Sequence, residues 1–147
     1  MKSLELFCGT KSFSKEAKLK GYETTTLDID KQHNPTICVD ILTWDYKQFP
    51  KGYFNVIWAS PDCTSWSIAC HKHRTISSMS PKTHIAVLGE KLIHKTLEII
   101  KYFKPKYWFI ENPRGRLRHF KPMKELEYRT TIYYGNYGLR AWIHRKN

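Results

Sequence analysis

Long apolar runs are absent from this chain. No stretch approaches the ~20 consecutive apolar residues that a membrane-spanning helix needs, so a helical membrane anchor is not expected. The segment Met1–Phe7 carries Glu5 inside its apolar run and has no extended apolar core, so it does not read as a signal peptide. Cysteine is sparse as well, with four residues at positions 8, 38, 63 and 70 in a chain of 147. Their spacing suggests no secreted disulfide framework, and they read as free thiols in a reducing, cytoplasmic compartment. No Cys-x-x-Cys pair occurs, so Cys63, Cys70, His71 and His73 match no common zinc module despite their proximity, and no metal site is expected. No His-x-Glu occurs either, and Trp66 stands where a Pro-Cys-x-x-Cys motif would need its second cysteine. Both features exclude a zinc-dependent cytosine deaminase. There is no internal repeat, low-complexity segment or convincing domain boundary, so residues 1–147 are expected to form one domain with a sizeable core.

Acidic residues are scarce in one half only. Residues 1–70 balance eight Lys/Arg against eight Asp/Glu, whereas residues 71–147 hold seventeen against five. The net charge of +12 therefore lies entirely in the second half, together with six of the seven histidines. Such an asymmetry suggests a polyanionic partner, most simply nucleic acid, against the plainer reading of a basic solvated surface.

What is present alternates between strand and helix signals. Ser3–Phe7 predicts a first strand, and Phe13–Lys20 a short helix capped by Ser12 and ended by Gly21. Tyr22–Leu27 predicts a second strand running into Asp28, and Thr36–Asp40 a third. Residues 41–53 suggest a short helix plus loop, followed by a strand at Phe54–Trp58 that Pro61 stops. Residues 68–79 have no sustained period and suggest a mobile loop. Ser80-Pro81 reads as a helix start. The helix behind it shows an apolar face of Ile85, Leu88, Leu92, Ile93, Leu97, Ile100 and Phe103. Lys106–Ile110 predicts a further strand, residues 114–127 are basic and irregular, and Arg129–Tyr134 suggests a last strand before turns at Gly135 and Gly138. The whole predicts a doubly wound α/β domain with a mostly parallel sheet.

Polar residues collect at the C-terminal ends of those strands, where open parallel sheets bind ligands. Leu6-Phe7-Cys8-Gly9-Thr10-Lys11-Ser12 is a strand–turn–helix whose Gly9 admits a close backbone approach. Asp28 or Asp30 ends the second strand about 20 residues later, where nucleotide-binding folds place a carboxylate for ribose hydroxyls. Asp40, ending the third, suits an adenine amino group. Together they point to an adenosine-containing cofactor, although each acid taken alone reads sooner as a solvated loop residue. Cys63 and Glu111 follow two strands of one sheet, so a nucleophilic thiol and a proton-donating acid can converge. A Cys–His hydrolase using His71 or His73 lacks any oxyanion motif. Trp58, Trp108 and Phe109 read as sheet core, whereas Trp66, on a polar loop, reads as a contact for a base or cofactor.

Taken together, these residues resemble the DNA cytosine-5 methyltransferases, and more closely the small phage- and virus-encoded members. Phe7-Cys8-Gly9-Thr10 resembles the family's cofactor-binding motif, Ser60-Pro61-Asp62-Cys63-Thr64-Ser65-Trp66-Ser67 its Pro-Cys nucleophile loop, and Glu111-Asn112-Pro113 its Glu-Asn motif. The resemblance implies a Rossmann-like, class I S-adenosylmethionine-dependent methyltransferase fold, truncated at the C-terminus. It implies catalytic roles for Cys63, Glu111, Asn112 and Arg129. S-adenosylmethionine would lie against Phe7, Gly9, Thr10, Lys11, Asp28, Asp40, Ser60 and Pro61. DNA, with a flipped or single-stranded base, would meet Trp66, Ser67, His71, His73, Arg74, Arg114, Arg116 and Arg118. The sequence departs from the family at Asp62, where a Pro usually precedes the cysteine, and at Lys11 and Ser12, where Gly is frequent. No target-recognition domain follows residue 138, which implies a partner subunit for sequence readout. The alternative is a degenerate member that binds nucleic acid or cofactor without turnover.

Overall fold

The computed structural model describes residues 1–68, 71–75, 77–126 and 128–132. Five strands pair in parallel: β1 Lys2–Leu6, β2 Glu23–Asp28, β3 Ile37–Cys38, β4 Val56–Ala59 and β5 Tyr107–Ile110, in the order β3-β2-β1-β4-β5. The order reverses at β1, so a crevice opens between the C-terminal ends of β1 and β4. Successive side chains on a strand point to opposite faces, and the sequence uses both. Leu4, Leu6, Ile57 and Ala59 are fully buried on one face beneath Ile99, Ile100 and Phe103 of α2, His84–Phe103. Glu5, Trp58 and Phe109 lie on the other, where Phe13 of α1, Ser12–Leu19, stacks on Trp58 at 5.3 Å. The domain is thus doubly wound and its sheet wholly parallel.

Several local expectations are corrected. The β1–α1 turn is not capped by Ser12. Lys11 occupies the cap position at φ 60° with no side-chain bond, and Glu5 reaches across from β1 to accept the amides of Phe13 and Ser14 at 3.3 and 3.0 Å. A buried carboxylate thus takes the place of a cap and also meets the positive end of the helix. Residues 41–53 hold a single 3₁₀ turn, Tyr46–Gln48, because Ile41, Trp44, Tyr46 and Phe54 are drawn under the sheet edge against Tyr102 and Phe103. Burying those aromatic rings outweighs the local helical tendency.

The long helix begins at His84, three residues later than Ser80-Pro81 suggests, with the Thr83 hydroxyl accepting from Ala86 N. Pro81 is instead bridged to Arg74. Ile85 and Leu88 are exposed by 44% and 37%, and Ala86 and Gly89 are buried in their place. Phe109, expected in the core, is 48% exposed. Residues 129–132 form no strand, and the remainder of the last predicted strand, Tyr133 and Tyr134, lies outside the described residues, as do Gly135 and Gly138. No helix among the described residues is long and apolar enough to cross a membrane.

Tyr46 donates to Glu98 Oε1 at 2.5 Å, which pushes the buried phenol up to about 12 and holds the Glu98 carboxyl below its ordinary range. A depressed carboxyl stabilises the fold above its unfolded pKa, and that contribution fades as pH falls through the folded value. Tyr46→Phe is therefore expected to cost about 1 kcal/mol at neutral pH. In urea denaturation the deficit should shrink below about pH 4, and an unchanged deficit in acid would exclude the charged bond as its source.

Candidate active site

The register of the parallel sheet brings its strand ends level. Leu6 pairs with Leu27 and with Ala59, and Ala59 with Ile110. One residue beyond Ala59 and Ile110, Ser60 N donates to Leu6 O and Glu111 N to Ala59 O, and two beyond Leu6, Cys8 N donates to Leu27 O. Cys8, Asp28, Ser60 and Glu111 therefore share one rim.

On the β1–β2 side the turn is built from left-handed residues. Phe7, Gly9 and Lys11 have φ of 57°, 43° and 60°, which L side chains rarely adopt. A Cβ placed on Gly9 would meet no atom within 4 Å, so open space lies above the turn. Gly9 N donates to Asp28 Oδ2 at 2.9 Å and Asp30 N to Oδ1 at 3.0 Å, so Asp28 shapes the rim while each oxygen keeps acceptor capacity. Asp30 is committed to capping residues 31–33 through Gln32 N. Asp40 accepts Leu42 N at 2.9 Å and stays half-buried. Lys11 extends to the Asn34 carbonyl. Thr10 is exposed and its hydroxyl lies 3.0 Å from that of Ser12. Burial, then Asp28 and Glu5, push the Cys8 thiol up, so it is held neutral.

On the β4–β5 side, Cys63 is half-buried at the head of a 3₁₀ turn, Thr64–Trp66. Asp62 folds back to accept the Thr64 amide at 3.1 Å and its hydroxyl at 2.8 Å. Its carboxylate is thus spent on shaping the turn. The turn is then gripped from three directions. Asn112 Nδ2 donates to Pro61 O at 2.8 Å, Arg116 N to Trp66 O at 2.7 Å, and Arg74 Nε to Ser65 O at 3.1 Å. Asn112 thereby ties the Glu111 loop to the Cys63 loop. Glu111 is half-buried beside it.

Three expected nucleic-acid contacts are corrected here. Arg74 is fully buried. Its guanidinium lies 3.6 Å over the Trp66 ring and donates to Met79 O, Ala86 O and, at 2.6 Å, to Glu90 Oε1. Trp66 is 1% exposed, packed on Ile93, Leu117 and Phe120 as part of a small core. His73 is buried with Nδ1 2.9 Å from the Thr83 hydroxyl. The segment expected to be mobile is therefore anchored at residues 73 and 74. Arg116 is buried, Arg118 and Ser67 are half-buried, and Arg114 is exposed. His71 belongs to a 3₁₀ turn, His71–His73. Arg129 donates to Arg118 O at 2.8 Å, with no contact to Cys63 or Glu111 among the described residues.

Residues that sequence reasoning passed over complete the site. A Cβ on Gly89 would lie 2.5 Å from Ser65 Oγ and one on Gly115 2.5 Å from Trp66 O, so both glycines are seats for the Cys63 turn. A glycine inside a helix costs about 1 kcal/mol against Ala, which was the available signal for Gly89. The signal for Glu5 was an acid interrupting an otherwise apolar strand.

The chain is similar to known proteins over most of its length. Residues 1–130 match a family model described as C-5 cytosine-specific DNA methylase. A "Probable DNA (cytosine-5)-methyltransferase" of Frog virus 3 (isolate Goorha) is 35% identical over 127 residues, covering 82% of this chain. The chain spans 58% of that relative's length.

Two tests address this geometry. Arg74→Met leaves Glu90 and three carbonyls without their donor and should lower unfolding free energy by about 3 kcal/mol. Arg74→Lys should recover only part, since an ammonium cannot reproduce the planar fork. A wild-type urea midpoint for Arg74→Met would show that the clamp contributes nothing. Iodoacetamide at neutral pH should label Cys63 and Cys38 in the native protein and spare Cys8 until the chain is unfolded, as peptide mass mapping will show.

Proposed function

Since the chain belongs to the C-5 cytosine-specific DNA methylase family, we propose that it transfers a methyl group to carbon 5 of cytosine in DNA, with Cys63 as nucleophile. The observation that carries this reading is the 2.8 Å bond from Asn112 Nδ2 to Pro61 O, which couples the thiol-bearing turn to the loop bearing Glu111. A thiol and a carboxyl at adjacent strand ends suit a planar ring attacked from its face and protonated at its edge. The Cys63 sulfur adds to carbon 6, and Glu111 holds or protonates ring nitrogen 3, where negative charge develops. Carbon 5 then becomes nucleophilic and takes the methyl group. Loss of the carbon 5 proton to a base expels the thiolate and restores the ring. The target base must leave the stack to reach a half-buried thiol.

S-adenosylmethionine supplies an electrophilic methyl group when bound. The β1–α1 rim fits it: the space over Gly9 admits a close approach, and Asp28 and Asp40 retain acceptor capacity for hydroxyl and amino groups. Cys8, held neutral there by its burial, is a poor nucleophile toward a methyl donor on that rim. Phe7, Thr10 and Lys11 complete that wall, with Ser60 and Pro61 at its β4 end. Asn112 and the Arg74 clamp keep the Cys63 turn fixed relative to Glu111.

The decisive experiment incubates the full chain with labelled S-adenosylmethionine and DNA containing 5-fluorocytosine, from which the carbon 5 substituent cannot leave. A covalent protein–DNA adduct carrying label is expected, and Cys63→Ser should abolish it. Glu111→Gln should slow adduct formation by about 10²–10⁴-fold, the usual contribution of a positioned acid. Cofactor or DNA binding without any adduct in the wild type would overturn the catalytic reading and leave a binding protein.

A further inference from the structure

A groove of about 620 Å³ runs between the loop 77–81 and the segment formed by the 3₁₀ turn Leu117–His119 and the short helix α3, Lys121–Lys124. That volume lies within the range of about 300–1,000 Å³ usual for ligand clefts. We propose that this groove is a track for the phosphate backbone of the DNA strand, an inference that rests on the DNA-modifying reading above and places the strand on residues other than the arginines the sequence suggested.

The two walls carry complementary means of holding a phosphate. On one wall Lys121 and Lys124 are exposed and three residues apart on one helical turn, so they share a face, with exposed His119 just before them. On the other wall stand the hydroxyls of Ser77, Ser78 and Ser80. Thr75, Ser78 and Ser80 are linked in a chain by contacts of 2.5 and 2.8 Å, and Thr75 N donates to Ser80 O, which fixes the shape of this wall. Three hydroxyls joined by two bonds spend two of their three protons on one another. One O–H therefore remains to be given to an outside acceptor, as a phosphate oxygen would provide.

The one acid among the described residues that line the groove does not oppose an anion. Glu90 is bonded to the buried Arg74 at 2.6 Å, so its charge is matched from within the protein. The surface presented to solvent is therefore net cationic. The groove also borders the candidate active site. Phe120, which lines it, packs at a tilt against Trp66 with ring centroids 5.1 Å apart, and Trp66 N is bonded to Cys63 O at 2.9 Å. Phosphate contacts of this kind set register and orientation and carry no sequence information, which suits a chain whose excess positive charge follows its nucleophile loop.

The test measures salt dependence rather than affinity alone. Binding of the full chain to a short labelled oligonucleotide, single-stranded and duplex, is followed by fluorescence anisotropy across a salt series. Each phosphate neutralised contributes about 0.9 to the slope of log K against log salt on duplex and about 0.7 on single strand. Lys121→Gln/Lys124→Gln should therefore lower the slope by about 1.8 or about 1.4. Ser80→Asp should weaken binding at every salt concentration. The pair Lys15→Gln/Lys18→Gln, on the exposed side of α1, should leave the slope unchanged. Wild-type binding with a slope that Lys121→Gln/Lys124→Gln does not alter would overturn the groove and spare the DNA reading. A wild type with no salt-dependent binding to either oligonucleotide would overturn both.

Discussion

The seating of the Cys63 turn on α2 and on the loop after β5 is the constraint on which the rest of this structure depends. A parallel sheet delivers loops to one rim at no extra cost, but it does not hold them there. A buried loop also leaves backbone carbonyls that must be satisfied. Here the carbonyls of Pro61, Ser65 and Trp66 each receive a donor from a different element: Asn112, Arg74 and the Arg116 amide. A neutral bond contributes about 1 kcal/mol net and one from a charged group about 1.5–3. Arg74, with four oxygen acceptors and the Trp66 face, therefore dominates the seat. Its charge survives burial because Glu90 and oriented carbonyls replace the lost water.

That seat explains two features of the helix and loops that composition alone makes odd. α2 sacrifices large apolar side chains at Ala86 and Gly89, where the turn and the Arg74 guanidinium approach its backbone, and leaves Ile85 and Leu88 in solvent. Gly115 makes the same concession on the opposite side. Close packing against backbone is worth more here than the apolar area given up. A few tenths of an ångström at either glycine would be transmitted to a thiol that must meet a ring carbon.

The sheet was legible from residues because strands with β-branched and aromatic character end in acids, thiols and proline at regular intervals, and tertiary packing did not contradict them. The helix cap at Ser12, the helix within residues 41–53 and the start of α2 were not. In each case a distant partner overrides a local preference: Glu5 reaching to α1, aromatic rings drawn under the sheet, and Arg74 claiming Pro81. The positions of Cys63 and Glu111 at neighbouring strand ends were legible. The roles of Trp66, His73 and Arg74 were misread for one physical reason. A polar, basic stretch looks solvated in sequence, yet a single arginine with enough acceptors folds it inward and takes its tryptophan and histidine along. Charge counts assign such an arginine to the surface field, and burial removes it.

Once the buried arginines are set aside, the charge along the rim is unevenly spread. Glu5, Asp28 and Asp40 stand on the β1–β2–β3 side, while exposed cations such as Arg114, Lys121 and Lys124 lie beyond β5. In the proposed reaction the first side receives a sulfonium donor, which is positively charged at the transferred methyl group, and the second a polyanion. The same division selects the thiol. Cys8 sits among carboxylates and is held neutral by them and by its burial, whereas Cys63 sits half-exposed past β4, across the crevice from those acids. Burial first, and the acids of a rim suited to a cation second, thus push up the thiol nearest to it. In the proposed reaction the nucleophile comes from the other side of the sheet's reversal point, where Cys63 lies beside the loop that bears Glu111.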